Sequence, residues 1–260
     1  MSLPDARLLA AELFRDAADK GVFIEINGDF TGFTDISDRI AERDAVTPMF
    51  DPRFSVELGE HNAFWVKGVD REGTVVHLQA FRLDRIDDSL ADAMANWLVP
   101  LYRSSGHDPR AAASGLSPSP IARGIAGKVA YHGELWIKAR SGKGMIGLSD
   151  LLPRLGLVMA YLKWRPDWVY GLVAGRKACS GLATRWGYTM TQPGVLCWER
   201  PPRDEPPTEW IVAASQADIE HMIGMQAREV ILVKQVTELA AEGTSSLVYP
   251  THSGSGAAQV

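Results

Sequence analysis

In the stretch Glu134-Leu135-Trp136-Ile137-Lys138-Ala139-Arg140-Ser141-Gly142-Lys143-Gly144-Met145-Ile146-Gly147, strand character gives way to a glycine-containing turn. The apolar and β-branched character from Lys128 to Lys138 predicts the strand. Beyond the turn, Leu148, Leu151, Leu152, Leu155, Val158, Met159 and Leu162 recur at helical spacing. Arg165-Pro166-Asp167 ends that helix, because proline cannot continue it and restrains the residue before it. The first N–H groups of a helix lack intrahelical partners, and the helix dipole is positive there. Glycines allow the backbone to wrap an anion closely, and Lys143 adds a mobile positive charge. The turn is therefore expected to bind phosphate.

Two phosphate-binding motifs are tested first. A P-loop needs glycine at position 137 and Ser or Thr after Lys143, but Ile137 and Gly144 stand there. Gly142, Gly144 and Gly147 satisfy the bare glycine spacing of a dinucleotide fingerprint. The acid about 20 residues on, Asp167, lies in a helix-ending turn and not at a strand terminus.

Around this centre the chain reads as alternating helices and strands. Asp5 to Lys20 is predicted as a helix, Val22 to Ile26 as a strand, and Asp35 to Asp44 as a short helix. Ala63 to Val69 and Thr74 to Leu83 form an expected hairpin across Asp70-Arg71-Glu72-Gly73. Ser89 caps a predicted helix to Tyr102, with Asp92 completing a box-like signature. Ser104 to Pro120, with three prolines and five serines, reads as a long loop or a lid. Trp168 to Val173 suits a central strand, Cys179 to Trp186 a short helix closed by Gly187, and Val195 to Glu199 a further strand. The segment 201–242 is read as a linker followed by a helical extension beginning at Ser215, and 243–260 as a disordered tail. Residues 1–200 are then one domain carrying an insertion at about 89–120.

These 260 residues, 46% apolar and 23% charged with net charge −5, suit a globular protein and offer no basic footprint for nucleic acid. No run approaches the about 18 apolar residues of a membrane span, and the N-terminus lacks a secretory signal pattern. Cys179 and Cys197 are expected as buried, reduced thiols in a cytoplasmic protein. The six histidines show no metal-ligand spacing, so no metal is expected.

From Lys128 to Arg200 the sequence resembles the GNAT superfamily of acyl-CoA N-acyltransferases. Glu134 to Gly147 is similar to its fourth strand and pyrophosphate loop. The helix, the apolar strand 168–173 and the short helix ending in Gly187-Tyr188 follow in the same order. Upstream, strand, helix and hairpin are compatible in order. The resemblance implies an α/β (α+β) fold: a mixed central sheet flanked by helices, with an N-terminal helix, an inserted helix-loop and C-terminal helices. It implies acetyl-CoA or a longer acyl-CoA as co-substrate, held by Trp136, Ile137, Ser141, Gly142, Lys143, Gly144, Met145, Ile146 and Gly147. The partner would be a small-molecule amine that attacks the thioester directly, and a homodimer is compatible. Many members carry a tyrosine where Ala183 stands; Cys179, Ser180 and Tyr188 are the nearby replacements. Strand alternation predicts His132 and Glu134 on one face, able to relay a proton from the amine. The candidate catalytic residues are thus Glu134, His132 and Tyr188. His77 and Gln79 share a hairpin face that would line an acceptor pocket or the core. The alternative is a catalytically silent domain that binds acyl-CoA or a protein partner as sensor or scaffold. It is supported by Ala183 and by a loop that departs from the superfamily pattern, with Ser141 at its Arg/Gln position and Ile146 at its final small position when registered on Gly144.

Overall fold

The computed structural model describes residues 3–54, 57–105, 109–111, 119–138, 147–198 and 208–245. Helix α1 (Leu3–Asp19) forms because Ala6, Leu9, Ala10, Leu13 and Ala17 line one face and are buried. Strand β1 (Phe23–Asn27) precedes α2 (Phe30–Asp38), which starts earlier than the periodicity predicts. The reason is local: the Asp29 carboxylate accepts from the Thr31 N–H and caps the helix there. The hairpin of β2 (Ala63–Val69) and β3 (Val75–Ile86) closes as expected. Asp70 Oδ1 accepts from the Thr74 amide at 2.8 Å, and Gly73 takes φ +79°.

The inserted segment is less regular than a single helix. It runs as α3 (Leu90–Ala93), a π-helical turn (Met94–Leu98) and α4 (Val99–Ser104), followed by β4 (Pro109–Ala111) and α5 (Pro120–Gly124). Of the expected lid, residues 106–108 and 112–118 lie outside the described residues. Next come β5 (Gly127–Ile137), α6 (Leu148–Trp164), β6 (Trp168–Ala174), α7 (Gly175–Cys179) and α8 (Leu182–Trp186). The chain continues as β7 (Met190–Trp198), β8 (Thr208–Ser215) and α9 (Gln216–Ser245). The expected tail from 246 onward is outside the described residues.

Among the described residues the strands make one sheet in the order β1-β2-β3-β5-β6-β8-β7-β4. Every pair is antiparallel except β5 with β6. The mixed, helix-flanked sheet is the fold class expected from sequence. One boundary is corrected. Thr208–Ser215, read as part of a linker and extension, is a strand between β6 and β7, so the sheet does not end at residue 200. Its Trp210-Ile211-Val212-Ala213-Ala214 run was the signal for it. Both cysteines are also corrected: they are free but exposed, Cys179 at the end of a one-turn helix and Cys197 near the sheet margin.

Each sheet face carries a core. One, beneath α1, α6, α8 and α9, includes Phe64, Phe81, Leu152, Leu155, Val158 and Ile219. The other, beneath α2 and the inserted helices, includes Phe33, Phe50, Trp65, Leu78, Leu98 and Tyr131. Helix α6 lies so close to β3 that a Cβ on Gly156 would fall 2.6 Å from Gln79 Oε1 and from a Phe81 ring carbon. Pro153 within α6 cannot donate to the Ser149 carbonyl. The Trp186 indole N–H does so instead, at 2.8 Å, tying α8 to α6.

Candidate active site

The site is built where β5 and β6 part. Parallel pairing runs only from Val129 opposite Trp168 to His132 opposite Gly171. Strand β5 continues to Ile137 and β6 to Ala174, each still paired on its far side, β5 with β3 and β6 with β8. The two strands therefore open a wedge whose inner edges have no strand partner among the described residues. Backbone edges of this kind accept an extended, amide-bearing ligand.

A bulge shapes β5 at the wedge. The β3–β5 register shifts between Leu78 and Ala80, so Glu134 and Leu135 together oppose Gln79. Glu134 adopts φ +59°, a left-handed conformation rarely taken by a residue with a side chain. Its carboxylate accounts for that. Oε2 accepts from Arg43 Nη2 at 2.7 Å, and Oε1 accepts from the Thr47 amide at 2.9 Å and hydroxyl at 2.7 Å. Arg43 and Glu134 side chains are 5% and 4% exposed, so this is a buried ion pair. Burial lowers the Arg43 pKa, and attraction to Glu134 opposes the shift. Arg43 Nη1 is buried without a protein partner.

His132 lies elsewhere. Its ring stacks on Phe81 at 4.2 Å in the core beneath α6, and its Nδ1 is 2.8 Å from the Tyr188 hydroxyl. The bulge between them sends Glu134 to Arg43 and Thr47, so the alternation that places His132 and Glu134 on one face fails at this point. Burial lowers the His132 pKa to about 3 and, alone, raises that of Tyr188. Both are neutral at physiological pH. The Tyr188 hydroxyl is 3.6 Å from where a side chain on Gly171 would begin, at the root of the wedge.

His77 and Gln79 also face α6. His77 Nδ1–H donates to the Trp136 carbonyl at 2.9 Å, and Gln79 Nε2 donates to the Leu152 carbonyl at 2.7 Å. Both are fully buried, and they take the core side of the two readings left open by sequence.

Of the residues expected to hold a cofactor, Trp136 and Ile137 lie on the stretch of β5 that pairs with β3 but has no β6 partner. Gly147 takes φ +86° immediately before α6 and supplies the carbonyl that accepts from the Leu151 amide. Ser141, Gly142, Lys143, Gly144, Met145 and Ile146 lie outside the described residues. Sequence reasoning missed Arg43 and Thr47, which lie 91 and 87 positions from Glu134. No local motif marks them. Among the described residues no three His, Cys, Asp or Glu side chains gather, and no helix is long and apolar enough to cross a membrane.

The wedge lies between β5, which precedes the glycine-containing segment, and β6, which follows the long helix, and a short helix closing in Gly187-Tyr188 comes next. Upstream stand a strand, a helix and a hairpin, in the order that the sequence resemblance implies. The chain has a GNAT-like fold. No family model matches the sequence, and no curated protein matches it. Solved structures with the GNAT-like fold are similar at low identity. A spermidine N-acetyltransferase SpeG chimera from Vibrio cholerae and hSSAT is 12% identical, with TM-score 0.42, covering 77% of this chain and 99% of its own. The spermidine/spermine N-acetyltransferase SpeG from Vibrio cholerae, in complex with manganese ions, is 10% identical, with TM-score 0.42, covering 78% and 98%. NAA60 from Arabidopsis thaliana, with a bisubstrate analogue, is 12% identical, with TM-score 0.40, covering 74% and 98%.

Proposed function

We propose that this protein transfers an acyl group from a coenzyme A thioester to the nitrogen of a small-molecule amine. The observation that carries the reading is the open wedge beside a bulged strand, upstream in sequence of the glycine-containing segment 141–147 and a long helix. The pantetheine arm of the thioester is extended and carries amides, which suit the unpaired edge of β5 at Gly133 to Ile137. Its pyrophosphate would meet the turn at 141–147 and the positive end of α6, with Lys143 beside it.

The residues divide the work differently from a simple relay. Glu134 is closed by three donors and His132 titrates near 3, so neither is suited to take the proton of an ammonium. The amine must arrive neutral and lose its proton to solvent after attacking the carbonyl carbon. Glu134, with Arg43 and Thr47, holds the bulge and is a positioning residue. Tyr188 at the wedge root is the group placed to meet the leaving sulfur. A thiol ionises near 8.5 and an unperturbed tyrosine near 10, and burial moves Tyr188 further up. Full proton transfer to the thiolate is thus uphill, and Tyr188 acts as a hydrogen-bond donor to the developing charge. In that arrangement His132 Nδ1–H donates to the tyrosine oxygen and directs its O–H into the wedge.

The second reading, an acyl-CoA-binding domain without turnover, is favoured by Ala183 and by the closed state of Glu134. Thermal shift with coenzyme A, acetyl-CoA and longer acyl-CoAs tests the shared premise, with Gly144→Glu expected to abolish the shift. An absence of shift with every thioester overturns both readings. Thiol release with an amine panel separates them. Turnover that falls on Tyr188→Phe by roughly ten- to a hundredfold, with the thermal shift retained, supports transfer; absence of release above background supports the silent domain.

A further inference from the structure

On the face opposite α6, the inserted helices and the sheet line a partly open cavity of about 180 Å³. Its walls are Ile86 from β3, Leu90 and Ala93 from α3, Met94, Trp97 and Leu98 from the π-helical turn, and Val129 and Tyr170 from the parallel strands. A π-helical turn accommodates one extra residue, and such turns recur at functional sites. Here it sets Met94 and Leu98 into the core while Trp97 stays 38% exposed. Trp97 is held in place from one side: the Arg82 guanidinium lies 4.6 Å from its ring centroid.

Polar groups enter with Asp84 and with Tyr170, whose phenol Asp84 influences. Asp84 lines the cavity, and Arg82 does not. The Arg82 guanidinium is turned onto Asp84, with Nε 3.0 and 3.1 Å from the two carboxylate oxygens and Nη2 3.0 Å from Oδ1. A carboxylate has about four acceptor positions, so Asp84 has capacity left after these contacts. Arg85, the other charged lining residue, follows Asp84 in the strand, so its side chain leaves by the opposite face. It is exposed and paired with Asp87. The cavity is thus an apolar chamber with an acceptor at its edge.

We propose that this cavity is a binding site for a small amine with a ring-sized apolar body, the ring among Met94, Leu98 and Val129 and the ammonium on Asp84. The size fits, since an apolar cavity of about 150 Å³ holds benzene. The charge fits, since among the described residues Asp84 is the acid that lines it and the Arg82 guanidinium is turned onto that carboxylate. The site is separate from the wedge. Asp84 pairs with Val129, three residues before the rung at which β5 and β6 part, or about 10 Å along the strand. The inference therefore does not depend on acyl transfer.

Benzylamine, benzyl alcohol and benzoate are the probes, titrated against the full chain without coenzyme A, with intrinsic fluorescence and thermal shift as readouts. Saturable binding of benzylamine is expected, at least about tenfold tighter than benzoate, the scale of one charge-assisted hydrogen bond. Asp84→Asn should weaken benzylamine to the level of benzyl alcohol. Ala93→Leu, which adds carbon atoms to the chamber, should abolish binding of both. Gly144→Glu should leave benzylamine binding unchanged, and circular dichroism shows which variants are folded. If Ala93→Leu does not fold, Trp97→Phe replaces it, with loss of the ligand-dependent fluorescence change expected. Equal affinity for benzylamine and benzoate, or wild-type binding in Ala93→Leu, overturns the site, as does failure of benzylamine to saturate. Loss of thiol release with benzylamine binding intact would overturn the acyl-transfer reading alone.

Discussion

Two buried polar groups flank the β3–β5 pairing, and they are stabilised in opposite ways. Toward α2, Arg43 and Glu134 are both charged and form an ion pair, and Thr47 donates two hydrogen bonds to Glu134, while Arg43 Nη1 has no protein partner. Toward α6, His77, Gln79, His132 and Tyr188 are neutral, and His77 Nε2, Gln79 Oε1 and His132 Nε2 have no protein partner. A buried charge must be paired because it cannot readily discharge; arginine never deprotonates under ordinary conditions. A buried histidine escapes the same cost by giving up its proton. The first cluster is therefore fragile to substitution and the second to acid.

The largest expected effect breaks the charged cluster. Glu134→Gln leaves Arg43 buried without its counter-charge, and urea unfolding should show a loss of about 3–5 kcal/mol. Combining it as Arg43→Met with Glu134→Leu should recover most of that loss, because neither charge is then stranded. A double variant no more stable than the single one would show that the loop 39–62 depends on the pair itself.

A smaller effect is expected above the neutral cluster. Gly156→Ala places a methyl against Gln79 and Phe81, and Phe81 is stacked on His132. Overpacking of this kind costs about 1–3 kcal/mol, readable as a lowered denaturant midpoint at constant slope. Gly73→Ala meets no atom within 4 Å, and any cost there comes from its φ of +79°, which strains a residue with a side chain.

The pH response is spread over several pH units and has the clearest sign. His77 and His132 have folded-state pKa values lowered from 6.5 to about 3, so between those values the unfolded chain binds more protons. Stability is then fully present above about pH 6.5 and declines as pH falls toward 3, by up to about 1.4 kcal/mol per pH unit for each histidine. His132→Phe should reduce that slope by one histidine's share. An unchanged slope between pH 6 and 4 would mean that His132 is not buried neutral.

The legibility of this molecule follows the range of its interactions. The strand through Ile137, the helix from Leu148 and the strand from Trp168 were readable because each is announced by its own periodicity and its own punctuation. The site was readable only in part. His132 and Glu134 sit two residues apart and should share a face, but the bulge at Glu134 separates them. That bulge depends on Arg43 and Thr47, which only the fold brings near. Similarly, Thr208–Ser215 has ordinary strand composition, while its place between β6 and β7 is a matter of pairing.

What the sequence alone determined was the strand and the helix on either side of a glycine-containing segment and the order of elements around them, since local propensity and spacing are properties of neighbouring residues. The tertiary structure decided where β5 and β6 separate, which carboxylate became a structural ion pair, and which face received an apolar cavity. Those outcomes depend on burial and on the partners each polar group finds across the chain, and no short segment contains them.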